Sequence, residues 1–161
     1  VFNSLAHKTT WLRSDFNLLD GLLRTKRCRE QEAISKKRCL EVLEQVGLEQ
    51  YASQRAVNLP YGSQRRLEIA RALVTSPQIL LLDEPAAGMN EDESAQLTQF
   101  IRNLHENRDI TIIIIDHHMD VIMNLCSRIS VINFGMLLAE GSPEEVQSNP
   151  EVIEAYLGVD E

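Results

Sequence analysis

Apolar residues recur at helical spacing between Leu67 and Val74, with Leu67, Ile69, Ala70, Leu73 and Val74 toward a core and Arg65, Arg66, Glu68 and Arg71 largely outside. The pattern predicts a helix opened by a turn at Pro60-Tyr61-Gly62-Ser63 and stopped by Pro77. Ile79 to Leu82 follow as an unbroken apolar run, as expected of a central parallel strand covered on both faces. Upstream, Arg29 to Val46 reads as an amphipathic helix with Ala33, Cys39, Leu40, Leu43 and Val46 near one face and Gly47 as its stop. Leu48 to Val57 is a short helix or turn. Downstream, Glu91 to Glu106 reads as a helix that packs through Ala95, Leu97, Phe100, Ile101 and Leu104, and Thr111 to Ile115 as a second buried strand rich in β-branched residues. Met119 to Cys126 suggests a further helix, and Ile129 to Asn133 with Met136 to Ala139 suggests two strands around Phe134-Gly135. Ser142 is placed to cap a helix with Pro143 at its first position and Glu144-Glu145 in its first turn, and Pro150 to Leu157 forms a last helix closed by Gly158. Val1 to Arg29 carries many large apolar groups, Trp11 and Phe16 among them, but no clear period, and Gly21 interrupts it.

Two places in this pattern carry chemistry. Gly62 sits where the predicted turn meets a helix N-terminus, so free backbone N–H groups and the positive end of the helix dipole make a seat for an anion. Asp83 and Glu84 stand at the carboxyl end of the apolar strand, and in open parallel sheets the ligand crevice lies outside such ends. There Asp83 suits a magnesium ion held through water, and Glu84 suits polarising a water that attacks a terminal phosphate. Each feature also has a plainer reading: a glycine turn as punctuation, and Asp-Glu-Pro as an ordinary strand exit.

Taken together, LPYGSQRRLEIARAL followed closely by ILLLDEP resembles the ABC-type ATPases, with a signature loop opening a helix and then a Walker B strand. The wording NLPYG, RRLEIARAL and LLDEPAAGMN is similar to the ATP-binding subunits of branched-chain amino acid importers, the LivG-like branch. Against the commonest signature, Leu-Ser-Gly-Gly-Gln, Leu59 and Gly62 match, Pro60 and Tyr61 are familiar in that branch, and Ser63 departs. Pro60 removes a hydroxyl and an N–H that would contact phosphate, and Ser63 is expected as a hydroxyl donor or, by slight preference, as the helix N-cap. The resemblance implies that Pro60, Tyr61, Gly62, Ser63 and Gln64 bind nucleotide. By position Asn90 resembles the D-loop, which crosses to the opposite ATP site of a dimer, and the resemblance places it with the nucleotide-binding residues; the plainer reading is a Gly-Asn turn. His117 matches the switch histidine, which positions the terminal phosphate and the attacking water, while His118 replaces a common aspartate and is peripheral. FNLLDGLLRT resembles the longer insertion of this branch, near the groove that receives a coupling helix, where Trp11 and Phe16 are core or contact residues.

Charge and length alter this picture. The net charge of −8 argues against a nucleic-acid partner. Its distribution is uneven: through Arg71 there are 13 basic and 8 acidic residues, and beyond it 3 basic and 16 acidic. The basic run from Arg24 to Arg38 is a solvated helix face or a surface near anionic lipid. Cys28, Cys39 and Cys126 have neither disulfide nor zinc-site spacing and fit a reducing cytosol. The run Ile112 to Ile115 is too short to span a bilayer, so any membrane association is expected through a partner. The Gly-x-x-x-x-Gly-Lys-Ser/Thr loop of the family is absent, no lysine here lies in a Gly-rich setting, and the first residue is Val1.

The expected fold is therefore α/β: a partial P-loop NTPase core with a parallel sheet plus a helical subdomain, divided as residues 1–76 and 77–161. The resemblance implies the C-terminal portion of an ATP-binding subunit of an importer, working with ATP and Mg2+. Its partners would be a second ATPase subunit, transmembrane permease subunits and indirectly a substrate-binding protein, with no nucleic acid, at the cytoplasmic face of the cell membrane. The 161 residues alone are expected to hydrolyse nothing. A lipopolysaccharide-export type ATPase, a non-transport ABC ATPase and a non-catalytic interaction module remain alternatives.

Overall fold

A computed structural model describes Val1 and residues 26–157. The expectations for Trp11, Phe16, the FNLLDGLLRT stretch and Gly158 lie outside the described residues. The chain divides into two compact units, Val1–Leu81 with His105–Ile113, and Leu82–Leu104 with Ile114–Glu161.

In the first unit, helix α1 (Lys26–Gln45) packs on α2 (Tyr61–Leu73), with single turns of 3-10 helix at Glu49–Tyr51 and Ala56–Asn58 between them. Cys39, Val42, Leu43 and Val46 are buried at i, i+3, i+4 and i+7, one stripe of the helix. This stripe corrects the predicted face. Val42 belongs to it, whereas Ala33 and Leu40 are exposed because they lie outside that spacing. On α2, Leu67, Ile69, Ala70, Leu73 and the following Val74 are all buried, as the periodicity predicts. Gly47 ends α1 with φ 68°, a left-handed conformation in which glycine avoids the Cβ clash.

Strands β1 (Ile79–Asp83) and β2 (Thr111–Ile115) pair. Thr111 N–H donates to the Gln78 carbonyl at 2.9 Å and Glu84 N–H to the Ile115 carbonyl at 2.7 Å, so the strands run in the same direction. The expected burial on both faces is not met. Leu80 and Leu82 are buried, but Ile79 and Leu81 are 57% and 70% exposed, and Ile113 and Ile115 are exposed beside them. Alternate side chains of a pleated strand point to opposite faces, and among the described residues only one face of this two-stranded sheet is covered.

The second unit holds α3 (Glu91–Glu106) through Leu104, then α4 (Met119–Leu125), an antiparallel hairpin of β3 (Ile129–Asn133) and β4 (Met136–Gly141), α5 (Pro143–Gln147) and α6 (Pro150–Leu157). Leu97, Ile101 and Leu104 of α3 are buried, while Ala95 is exposed. Ile122, Ile129, Val146 and Val152 form a cluster joined by Ile114, Cys126 and Leu138. Ser142 caps α5 in a reciprocal capping box with Glu145, and Pro143 takes the first helical position. Phe134, 97% exposed at φ 47°, and Gly135 form the hairpin tip.

Candidate functional site

The carboxyl ends of β1 and β2 carry the acidic and imidazole groups. Glu84, the first residue after β1, has φ 43°, a left-handed conformation that a residue with a Cβ adopts only at a cost. Its N–H reaches the Ile115 carbonyl and its own carbonyl accepts from Ala87 N–H at 3.1 Å, so the turn is tied on both sides. Glu84 Oε1 lies 3.3 Å from His117 Nδ1, and both side chains are more than half exposed. Asp83 ends β1 immediately before it and is exposed.

Behind this pair stands Asp116, whose side chain is fully enclosed. Its Oδ1 accepts from His118 N–H at 3.0 Å and lies 2.6 Å from His118 Nδ1 and 3.9 Å from His117 Nδ1. Burial pushes the Asp116 carboxyl upward, yet the His118 N–H and ring and the His117 N–H together hold it below the usual carboxylate range. The two imidazoles sit 4.1 Å apart, centre to centre. Tyr156 OH donates to the His117 carbonyl, fastening the backbone of that residue. His118 is thus hydrogen-bonded into the group and precedes α4 as its N-terminal flanking residue, more than the peripheral position the sequence gives it.

The Pro60–Gln64 segment belongs to the other unit. Pro60 accepts Gln64 N–H at 3.0 Å, closing the first helical turn, so Tyr61 and Gly62 are already inside α2. The expected turn followed by a helix is corrected accordingly. Ser63 is the third helical residue, not the N-cap; the cap position is Pro60, which has no side-chain hydrogen bond to give. Gln64 Nε2 donates instead to the Leu59 carbonyl at 2.8 Å. A Cβ built on Gly62 meets nothing within 4 Å, leaving room for another group at the helix end. Arg65 donates to Glu68 at 2.9 Å and to Tyr61 OH at 2.8 Å, with its guanidinium over the Tyr61 ring.

Asn90 is occupied locally. Its Oδ1 accepts Glu93 N–H at 2.9 Å and its own N–H donates to Glu93 Oε2 at 3.2 Å, a capping box at the start of α3. The signal was legible as Asn followed three residues later by Glu. The Asp116-to-His118 contact was legible too, as an Asx turn at a strand end. The left-handed Glu84 and the Tyr156 contact to His117, 39 residues away in sequence, had no local signal.

Arranged this way, the strand ends offer a carboxylate beside an imidazole and an adjacent exposed aspartate, groups suited to hold a cation and to orient water. Among the described residues no helix is long and apolar enough to cross a membrane.

Residues 3–87 match the family model of the ABC transporter, and residues 136–161 match that of the branched-chain amino acid ATP-binding cassette transporter. The chain is 48% identical over 141 residues to the high-affinity branched-chain amino acid transport ATP-binding protein LivG of Salmonella typhimurium and 44% identical over 142 residues to BraF of Pseudomonas aeruginosa. These matches take in 88% of the chain but only 55% and 56% of the two relatives, so the chain spans a little over half their length. Among solved structures, the ADP conformation of MJ1267, an ATP-binding cassette of an ABC transporter, superimposes with a TM-score of 0.76 at 28% identity, covering 98% of this chain and 61% of that one. CbiO1 from Clostridium perfringens, part of the ABC transporter complex cbiONQ, has the same TM-score at 24% identity, covering 98% of this chain and 57% of that one, and supports the fold alone. With one family model matching more than half of its residues, the chain belongs to the ABC transporter family.

Proposed function

We propose that this chain is the C-terminal portion of the ATP-binding subunit of an ABC importer for branched-chain amino acids, and that ATP hydrolysis is carried by Glu84 and His117. The observation that supports this most is the 3.3 Å approach of Glu84 Oε1 to His117 Nδ1 at the ends of two parallel strands, beside an exposed Asp83. In this reading Glu84 orients and polarises the attacking water, and His117 holds both that water and the terminal phosphate of the substrate ATP. Asp83 offers a hard, exposed oxygen donor of the kind Mg2+ prefers and would hold the ion through water. Mg2+, when bound, neutralises charge on the phosphate oxygens.

Residues 1–76 act as the helical subdomain and residues 77–161 as the C-terminal part of the catalytic core. The α2 N-terminus at Pro60, Tyr61, Gly62, Ser63 and Gln64 serves the nucleotide of a second ATPase subunit, with Asn90 shaping the turn that faces that subunit. With Pro60 lacking an N–H, phosphate contact there leans on the backbone N–H groups of the first turn. Closure of the two subunits on nucleotide would drive transmembrane permeases fed by a substrate-binding protein, at the cytoplasmic face of the membrane. The relatives' shared role in branched-chain amino acid transport supports the cargo assignment.

The test is uptake of radiolabelled leucine, isoleucine and valine by cells in which the gene for the longer protein is deleted. Uptake of all three should fall and methionine uptake should stay level. Unchanged leucine uptake, or an equal loss for methionine, would remove the cargo assignment.

A further inference from the structure

Asp116, His117 and His118 present a carboxylate oxygen and two imidazole nitrogens that all lie within 4.8 Å of one another. Among the described residues this is the group of acidic, histidine and cysteine side chains close enough to hold a metal ion. A second observation is independent of that spacing: Asp116 Oδ2 is buried and has no hydrogen-bond partner among the described residues, on a side chain with no exposed surface. A buried carboxylate oxygen without a donor is costly, and a cation held by both oxygens of the Asp116 carboxylate is one means of satisfying it.

We propose that Asp116, His117 and His118 form a binding site for a borderline transition-metal ion of the Zn2+ type. Two imidazoles and one carboxylate are the donor set such an ion prefers, whereas Mg2+ favours oxygen donors alone. The two histidines, adjacent in sequence, turn their Nδ1 atoms to the same Asp116 Oδ1, at 2.6 and 3.9 Å. Bonds of about 2.0–2.2 Å to an ion require those donors to stand roughly 3.3 Å apart, so binding needs a shift of well under 1 Å in each contact. The Tyr156 hydrogen bond to the His117 carbonyl holds the backbone while the rings adjust. Water completes the coordination.

Under the proposed function, and resting on it, occupancy has a further consequence. An ion on His117 Nδ1 takes up the ring nitrogen that faces Glu84 Oε1 at 3.3 Å, so the metal form is a blocked form of the hydrolysis site.

The site is tested by titrating Zn2+ into the purified 161-residue chain by calorimetry, with Cys28, Cys39 and Cys126 replaced by alanine to remove thiol binding, and by following the visible absorption of Co2+. One ion per chain should bind with a Kd in the micromolar range or below. His118→Ala, which leaves Glu84 and His117 in place, should weaken binding at least tenfold, and His118→Gln should do the same if the alanine variant misfolds. Absence of binding, or unchanged affinity in a folded His118 variant, would overturn the site. Because both readouts are metal binding, a failed ATPase reading leaves them unaffected. Metal binding without inhibition of the longer protein's ATP turnover would remove the blocked form.

Discussion

Glu84 Oε1 and His117 Nδ1 stand 3.3 Å apart, brought together by two strands whose ends are tied by the Glu84 N–H to Ile115 carbonyl bond of 2.7 Å. The carboxylate and the imidazole therefore address one volume beyond the sheet. In the longer protein, His117→Ala should lower ATP turnover by roughly a hundredfold while nucleotide affinity changes far less, because the imidazole is used for the reaction more than for binding. Steady-state phosphate release alongside equilibrium nucleotide binding separates the two effects.

The left-handed backbone at Glu84 supplies a second test. Holding a side chain at φ 43° costs on the order of 1 kcal/mol, which glycine avoids. Glu84→Gly should raise the stability of the chain by up to about 1 kcal/mol, read from denaturant midpoints, and remove hydrolysis in the longer protein. A destabilised variant would mean the carboxylate contributes more to folding than its exposed position indicates.

Asp116 makes stability depend on pH in a defined direction. Its carboxyl titrates below the usual range in the folded chain, through its contacts to His118 and His117 that outweigh burial. The carboxylate's contribution is therefore complete above the ordinary, unfolded value and is lost as pH falls through the lower, folded one. Melting temperatures from about pH 6 to about pH 3 should fall less steeply for Asp116→Asn than for wild type, since the amide keeps an acceptor for His118 N–H but cannot be protonated in that window.

Two leucines eight residues apart separate core from open surface. Leu73 has no exposed surface, and Leu73→Ala should cost about 2–5 kcal/mol. Leu81 is 70% exposed on the bare face of β1, and Leu81→Thr should change the stability of this chain by less than about 0.5 kcal/mol. Thermal melts of both variants decide the contrast.

What was legible in the sequence follows from periodicity and end signals. The interval from Leu67 to Val74 declared its buried face because α2 packs through one stripe, and the Ser142-Pro143 start of α5 carried its capping box openly. The bounds of β2 and β3 were readable from their β-branched runs. Burial on both faces of β1 was not, because an apolar run records where a strand can be buried and not what covers it here. The helix start at Tyr61 was obscured by Gly62, which reads as a turn residue but sits inside the first helical turn. Of the site, Asp83, Glu84 and His117 stood out at strand ends. The parts that order them, the Glu84 backbone and the Tyr156 hydroxyl, depend on contacts between distant segments.

The most direct measurement is ATP hydrolysis by the longer protein that carries this segment, wild type against Glu84→Gln, with nucleotide binding followed in parallel. Turnover should fall by at least about a hundredfold while ATP still binds, since the amide keeps the shape of the carboxylate and loses its capacity to polarise water. Turnover within a fewfold of wild type would contradict the assignment of Glu84 to the hydrolysis step.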